Sequence, residues 1–243
     1  MRLLKFSIRV FKEIVRDPLT LFFGLGFPIV LLCLMSAIQA NIPVNLFEIN
    51  SLAPGITVFG LSFMTLFSSL LIAKDRESAL MQRLYTTPIK PIEYIIGYTL
   101  PLLVISLVQS IVSFSFAFIL GLKFTFNLVL CIIMGIPVAV LYIVIGLLFG
   151  SILNVKQVGG VCGALLTNLT AWISGIWFDI KLIGGAFEAI AKLLPFYHAV
   201  EMQRNVLVGD FSTITVNLIY IFAYAIVLGV IAVFLFLRQM KKN

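Results

Sequence analysis

FNLVLCIIMGIPVAVLYIVIGLLFG, residues 126–150, holds 25 positions without an Asp, Glu, Lys or Arg. A helix crossing the hydrocarbon core of a bilayer needs about 20 consecutive apolar residues. A charge at its centre costs about 2.5–3.5 kcal/mol on an insertion scale. The stretch meets both demands, and five more runs do the same, at 19–40, 54–73, 94–120, 158–178 and 213–237. Of 243 residues, 61% are hydrophobic and 11% charged, with a mean hydropathy of +1.15. A soluble domain carries about 25% charged residues, so the solvent of this chain is lipid. The expected fold is an all-α membrane protein of six transmembrane helices, a single transmembrane domain over 1–243.

The net charge of +7 sits in short clusters beside the apolar runs, unlike a nucleic-acid-binding patch. With the N-terminus inside, Arg2, Lys5, Arg9, Lys12, Arg16, Lys74, Arg76, Arg83, Lys90, Lys156, Arg238, Lys241 and Lys242 fall in inner segments, against Lys123, Lys181, Lys192 and Arg204 outside. The positive-inside rule then places both termini in the cytoplasm. The first apolar run is too long for a signal-peptide core and no small-residue cleavage site follows it, so it reads as a retained span. With many Phe and Ile, this fits a bacterial plasma membrane. Cys33, Cys131 and Cys162 lie inside apolar runs and read as small buried hydrophobes. One histidine, His198, cannot build a metal site alone, and no metal or catalytic residue is expected.

Three segments outside the spans carry information. In residues 1–17, Arg2, Lys5, Arg9, Lys12 and Arg16 recur at steps of three and four, a basic stripe on a helix, with Leu4, Ile8, Phe11 and Val15 turned away from it. This is the pattern of an amphipathic interfacial helix contacting membrane lipids, and Asp17-Pro18 then starts the first span. Between spans 2 and 3, residues 74–90 read as a short cytoplasmic helix: Asp75 as N-cap, Ser78 to Tyr85 helical, Thr87-Pro88 as the stop. Leu80 and Leu84 share one face, while Arg76, Glu77 and Arg83 are placed for charged contacts; the alternatives are a docking element or a solvated loop. Residues 179–212 are too apolar for an ordinary loop and too interrupted for a span, which suggests a re-entrant or interfacial hairpin at the outer face.

Within the spans, Gly146-x-x-x-Gly150 and Gly159-x-x-x-Gly163 remove side chains from helix faces and predict a tight hairpin between spans 4 and 5. Hydroxyl stripes run along Ser62, Thr65 and Ser69, along Ser106, Ser110 and Ser113, and along Thr167, Thr170 and Ser174, with Asn168 and Gln109 beside two of them. They read either as interhelical hydrogen-bonding groups or as a mildly polar wall of a translocation path. No span carries a charge at its centre, the usual device of an ion- or proton-coupled carrier.

The chain resembles the ABC-2 type family of ABC transporter permeases. In that family the loop after span 2 reads Arg-Glu-x-Gly-Thr-Leu-Glu-Arg-Leu-x-x-Thr-Pro. It is matched here by Arg76, Glu77, Arg83, Leu84, Thr87 and Pro88, with departures at Ala79, Leu80 and Gln82. Glu93, Tyr94 and Gly97 continue the pattern. Ser174-Gly175 and Leu194-Pro195-Phe196-Tyr197-His198-Ala199-Val200-Glu201 with Arg204 and Gly209 resemble its C-terminal signature.

The resemblance implies a permease subunit of an ATP-driven exporter, pairing with a second protomer, identical or homologous. Arg76, Glu77, Leu80, Arg83, Leu84, Thr87 and Pro88 would couple it to the ATPase. ATP and Mg would be bound by that separate ABC ATPase subunit, since no Walker A sequence is present here. The permease itself would do no covalent chemistry. The polar stripes and lack of charge suggest an amphipathic or lipophilic cargo: a drug, a lipid-like molecule or a hydrophobic peptide. The alternatives are a secondary carrier or a non-transporting assembly factor of the same architecture. An intramembrane serine protease using Ser174 and His198 lacks the first glycine of Gly-x-Ser-Gly, and a lipid transferase lacks clustered acidic ligands.

Overall fold

The computed structural model describes residues 2–78 and 91–240. Every regular element among them is helical: α1 (Arg2–Val15), α2 (Pro18–Asn41), α3 (Ile49–Glu77), α4 (Pro91–Ile119), α5 (Asn127–Ile152), α6 (155–173), α7 (Gly185–Leu193), α8 (Pro195–Val208) and α9 (Ile214–Met240). Five of these, α2, α3, α4, α5 and α9, are long and apolar enough to cross a membrane. The run at 158–178, read from sequence as a sixth span, forms α6, which ends at Ser174 and is not among those five.

Local chemistry explains the boundaries. Asp17 caps α2 by accepting from Leu19 N and Thr20 N, with Pro18 in the first turn. Phe22–Gly26 widens to a π-turn, where Pro28 has no N–H to offer the carbonyl of Gly24. Asn154 starts α6 through a reciprocal box: its Oδ1 accepts from Gln157 N while Gln157 Oε1 accepts from Asn154 N. Gly159–Leu166 then forms a π-helical stretch, and Thr167 Oγ1 fills the widened turn by donating to Cys162 O, five residues back.

The centre of the bundle is α3, which packs against α2, α4, α5, α6 and α8. In its most apolar window 89% of residues are buried, against 17% in α2 and in α9. Close approach is permitted by glycine. A Cβ on Gly146 would collide with Ser68 Oγ and the Thr65 carbonyl, and one on Gly150 would sit 2.7 Å from Ser69 O. Both glycines of α5 therefore pack on α3. The expected hairpin between spans 4 and 5 does not form, because Gly159 faces open space and Gly163 meets Leu66 of α3. Gly146, Gly150 and Gly163 all face α3, and the two glycine pairs do not face each other.

The helices alternate between two ends of the bundle. At one end lie α1, the last turn of α3, the first turns of α4, the end of α5 and the start of α6. At the other lie the start of α3, the end of α6 and the start of α5 beside Leu207. Here α8 runs along α5: Leu207 O accepts from Asn127, Gln203 exchanges hydrogen bonds with Cys131, and Phe196 stacks on Tyr142. Tyr142 lies 15 residues beyond Asn127, about 22 Å at the helical rise. The α7–α8 pair thus reaches roughly to mid-bundle, with Gly175 (φ 74°) and Gly184 (φ 64°) making the turns that lead into it.

Candidate functional site

The end of the bundle that holds α1 is built around Asp75. Arg9 of α1 donates to both its carboxylate oxygens at 2.9 and 2.8 Å, and Tyr98 of α4 donates at 2.7 Å. The Asp75 side chain is only 5% exposed. Buried charge is tolerable when it is paired and every lone pair is used, and here three helices meet on one carboxylate. Arg9 also bonds Glu13 at 3.0 Å. The Arg9 guanidinium is raised above its ordinary pKa, chiefly by the Asp75 hydrogen bond, and burial raises the Glu13 carboxyl against the pull of Arg9.

The α1 helix has three faces, not two. Phe6, Val10 and Ile14 are buried against the bundle. Phe6 stands edge-on to Tyr94 and Tyr98, at 5.6 and 5.0 Å, and lies where a Cβ on Gly97 would be. The stripe of Leu4, Ile8, Phe11 and Val15 is exposed, and Lys5, Lys12 and Arg16 form the third face.

Asp75 is not the N-cap of a loop helix, because α3 continues through Glu77 and is capped at Ser78. Neutralised by Arg9 and Tyr98, the carboxylate no longer ends the helix. The two residues that follow are held by the α5–α6 junction. Arg76 Nη1 donates to Gly150 O at 2.7 Å and Leu153 O at 3.2 Å, filling orphan carbonyls at the C-terminus of α5. Glu77 Oε1 accepts from Val155 N at 2.9 Å, in the first turn of α6. Leu80, Arg83, Leu84, Thr87 and Pro88, read from sequence as coupling residues, lie outside the described residues.

The opposite end of α6 is held in the same manner. Arg204 of α8 donates to Ser51 O (3.1 Å), Gly175 O (3.0 Å) and Ile176 O (3.4 Å), joining α3, α6 and α8. Between its ends α6 exposes Asn168, Leu165, Leu169 and Trp172.

The hydroxyls read as a polar wall are buried and turned onto carbonyls. Ser62 donates to Phe59 O, Thr65 to Tyr142 O, Ser69 to Leu66 O, Thr170 to Thr167 O and Ser174 to Ala171 O, while Thr167 serves the π-turn. Asn168 is the exposed member of that set, its amide donating to Ala164 O. Ser174 and His198 are not bonded to each other: His198 pairs with Asn217 and Lys192 O and stacks on Tyr220. The roles of Arg9, Tyr98 and Arg204 escape sequence reading, although the step of three and four places Arg9 on the basic stripe of α1 and Arg204 falls in the C-terminal stretch that resembles the family.

Five helices long and apolar enough to cross a membrane, one of them buried at the centre of the bundle, define a multi-pass membrane protein. The chain belongs to the ABC-2 family transporter proteins, whose family model matches residues 39–234. It is also 38% identical over 86 residues to a "Putative transport permease ycf38" from Porphyra purpurea, a match covering 33% of this chain and 30% of that protein.

Proposed function

We propose that the chain is the membrane-spanning subunit of an ATP-driven exporter in the plasma membrane, working as a dimer with separate ATPase subunits and moving an amphipathic or lipophilic cargo. Both termini and the Asp75 end face the cytoplasm, α6 is the sixth crossing, and α7–α8 is a re-entrant hairpin from the outer face.

The observation that carries the reading is the grip of Arg76 and Glu77 on the α5–α6 junction. A force applied to residues 79–90 by an ATPase reaches the end of α5 through Arg76 and the start of α6 through Glu77. Because α6 is otherwise held on one side, at Arg204, and by α3, it is the helix able to respond. The exposed Asn168, a polar group facing lipid, supports a second protomer packing on that side. The closed hydroxyls of Ser62, Thr65, Ser69, Thr167, Thr170 and Ser174 would line a path once α6 parts from α3.

Affinity purification after crosslinking in native membranes tests the reading. A Walker-containing subunit in stoichiometric amount is the expected result; the chain alone would favour a carrier or an assembly factor. In the assembled complex, Glu77→Lys removes the acceptor for Val155 N and places a cation at a helix N-terminus. Transport-linked ATP hydrolysis should fall about tenfold or more, the equivalent of one charged hydrogen bond, with little change in the unfolding midpoint. Unaltered coupling would remove Glu77 from the transmission route.

A further inference from the structure

The cleft along α1 is a second site, independent of the grip on α6. It has a volume of about 720 Å³ and is lined by Lys5, Arg9, Lys12, Arg16 and Lys74 against two carboxylates, Glu13 and Asp17. Both acids are already engaged: Asp17 by the backbone and hydroxyl of the first turn of α2, Glu13 by Arg9. Arg9 is itself taken by Asp75. The side chains of Lys5, Lys12, Arg16 and Lys74 make neither a hydrogen bond nor a salt bridge among the described residues. The cleft therefore keeps unmatched positive charge directed at one space.

Beside it, a narrower groove of about 50 Å³ shares Glu13, Asp17 and Lys74 and is walled by Ile14 of α1, Thr20 of α2 and Phe67, Leu70 and Leu71 of α3. A charged mouth with an apolar throat suits a molecule having the same two parts. The exposed stripe of Leu4, Ile8, Phe11 and Val15 continues the apolar surface beside it, and Pro18 marks the level where the chain enters its first span.

We infer that this cleft binds an anionic phospholipid of the cytoplasmic leaflet, its phosphate among Lys5, Lys12, Arg16 and Lys74 and the start of an acyl chain in the groove between α2 and α3. Phosphate is the chemistry that satisfies several cations at once, and a basic cluster at the membrane surface attracts anionic headgroups. The bound lipid bridges α1, α2 and α3 at the Asp75 junction, so it steadies the segment from which residues 79–90 depart. The depth of the cleft rests on the topology proposed above. The lipid test needs no ATPase, so failure of one reading leaves the other standing.

The full chain would be placed in phosphatidylcholine nanodiscs doped with phosphatidylglycerol. Lipid retained through a delipidating wash would then be counted by native mass spectrometry. One phosphatidylglycerol per protomer, and no phosphatidylcholine, is expected. Lys12→Gln with Lys74→Gln should lower retention on the order of 20-fold, about fivefold per cation. Lys156→Gln with Arg238→Gln, cations outside the cleft, should change it less than about threefold. Equal loss in both variants would reduce the effect to surface charge and overturn the site. If the first variant fails to fold in phosphatidylcholine, the wild-type chain washed at about 0.5 M salt decides instead, since screening must release a lipid held by its phosphate. Retention that survives overturns the proposal. Glycerol phosphate that displaces the lipid at millimolar concentration would show that the throat holds no chain, and would overturn the two-part site in favour of a free phosphate ligand.

Discussion

Helices α3 and α6 look alike in sequence: both are apolar, both carry hydroxyls at helical spacing, and both meet glycine from a neighbour or offer their own. They hold opposite places in the fold. The central α3 is enclosed on nearly every side, and two glycines of α5 seat directly on its backbone. By contrast, α6 is held at its inner end by Glu77, at its outer end by Arg204, and on one side by α3. Its other side is bare, and its middle is a π-helical stretch with three glycines. A helix fixed along its length can only be a scaffold. One fixed at its ends can change its path between them.

The sharpest way to break this contrast is to place the same bulk on each helix contact. Gly146→Leu drives a side chain into the Thr65 carbonyl and should cost about 3 kcal/mol or more, the upper range for overpacking. Gly159→Leu faces open space and should stay within about 0.5 kcal/mol. Thermal unfolding in detergent reads both, and equal destabilisation would erase the distinction between scaffold and tethered helix.

Asp75→Ala should rank next. It leaves Tyr98 Oη without an acceptor and Arg9 with only Glu13, at about 2–3 kcal/mol after allowing for the partial exposure of Arg9. Faster hydrogen exchange throughout α1, with α5 unaffected, is the expected signature; unaltered α1 protection would show that the junction is held by the apolar face of Phe6, Val10 and Ile14. A smaller loss is expected for Arg204→Met, about 1.5 kcal/mol of local stability, seen as about tenfold faster exchange at residues 174–182. An effect at the inner end of α6 instead would mean that the two grips are coupled through the helix.

The least effect belongs to Glu13. Its carboxyl is raised by burial more than Arg9 lowers it, so the folded state favours the neutral acid. The resulting stability is present below the ordinary glutamate range and is lost as pH rises through the raised value. With the group half exposed, this amounts to less than about 0.5 kcal/mol. Protection of α1 should therefore increase slightly on acidification, and Glu13→Gln should abolish the pH dependence.

Reading along the chain was enough to establish the class of solvent, the apolar runs, the Asp17-Pro18 start of α2 and the interruption at 179–212. Each follows from composition, period or a capping residue within a few positions, and all of that is local. The same reading placed Gly146 and Gly150 against Gly159 and Gly163, because neighbours in sequence are the obvious partners; the fold gave Gly146, Gly150 and Gly163 to α3 and left Gly159 facing open space. It took Asp75 as a helix start, since an isolated acid ends a span, and could not see Arg9 arriving from 66 residues away to neutralise it. The two faces found for α1 became three, because the bundle claims one of them. What sequence alone determined is where lipid must surround the chain, since transfer free energies add along a segment. What only the tertiary structure decided is which buried charge meets which, because pairing depends on distances between helices that no single helix encodes.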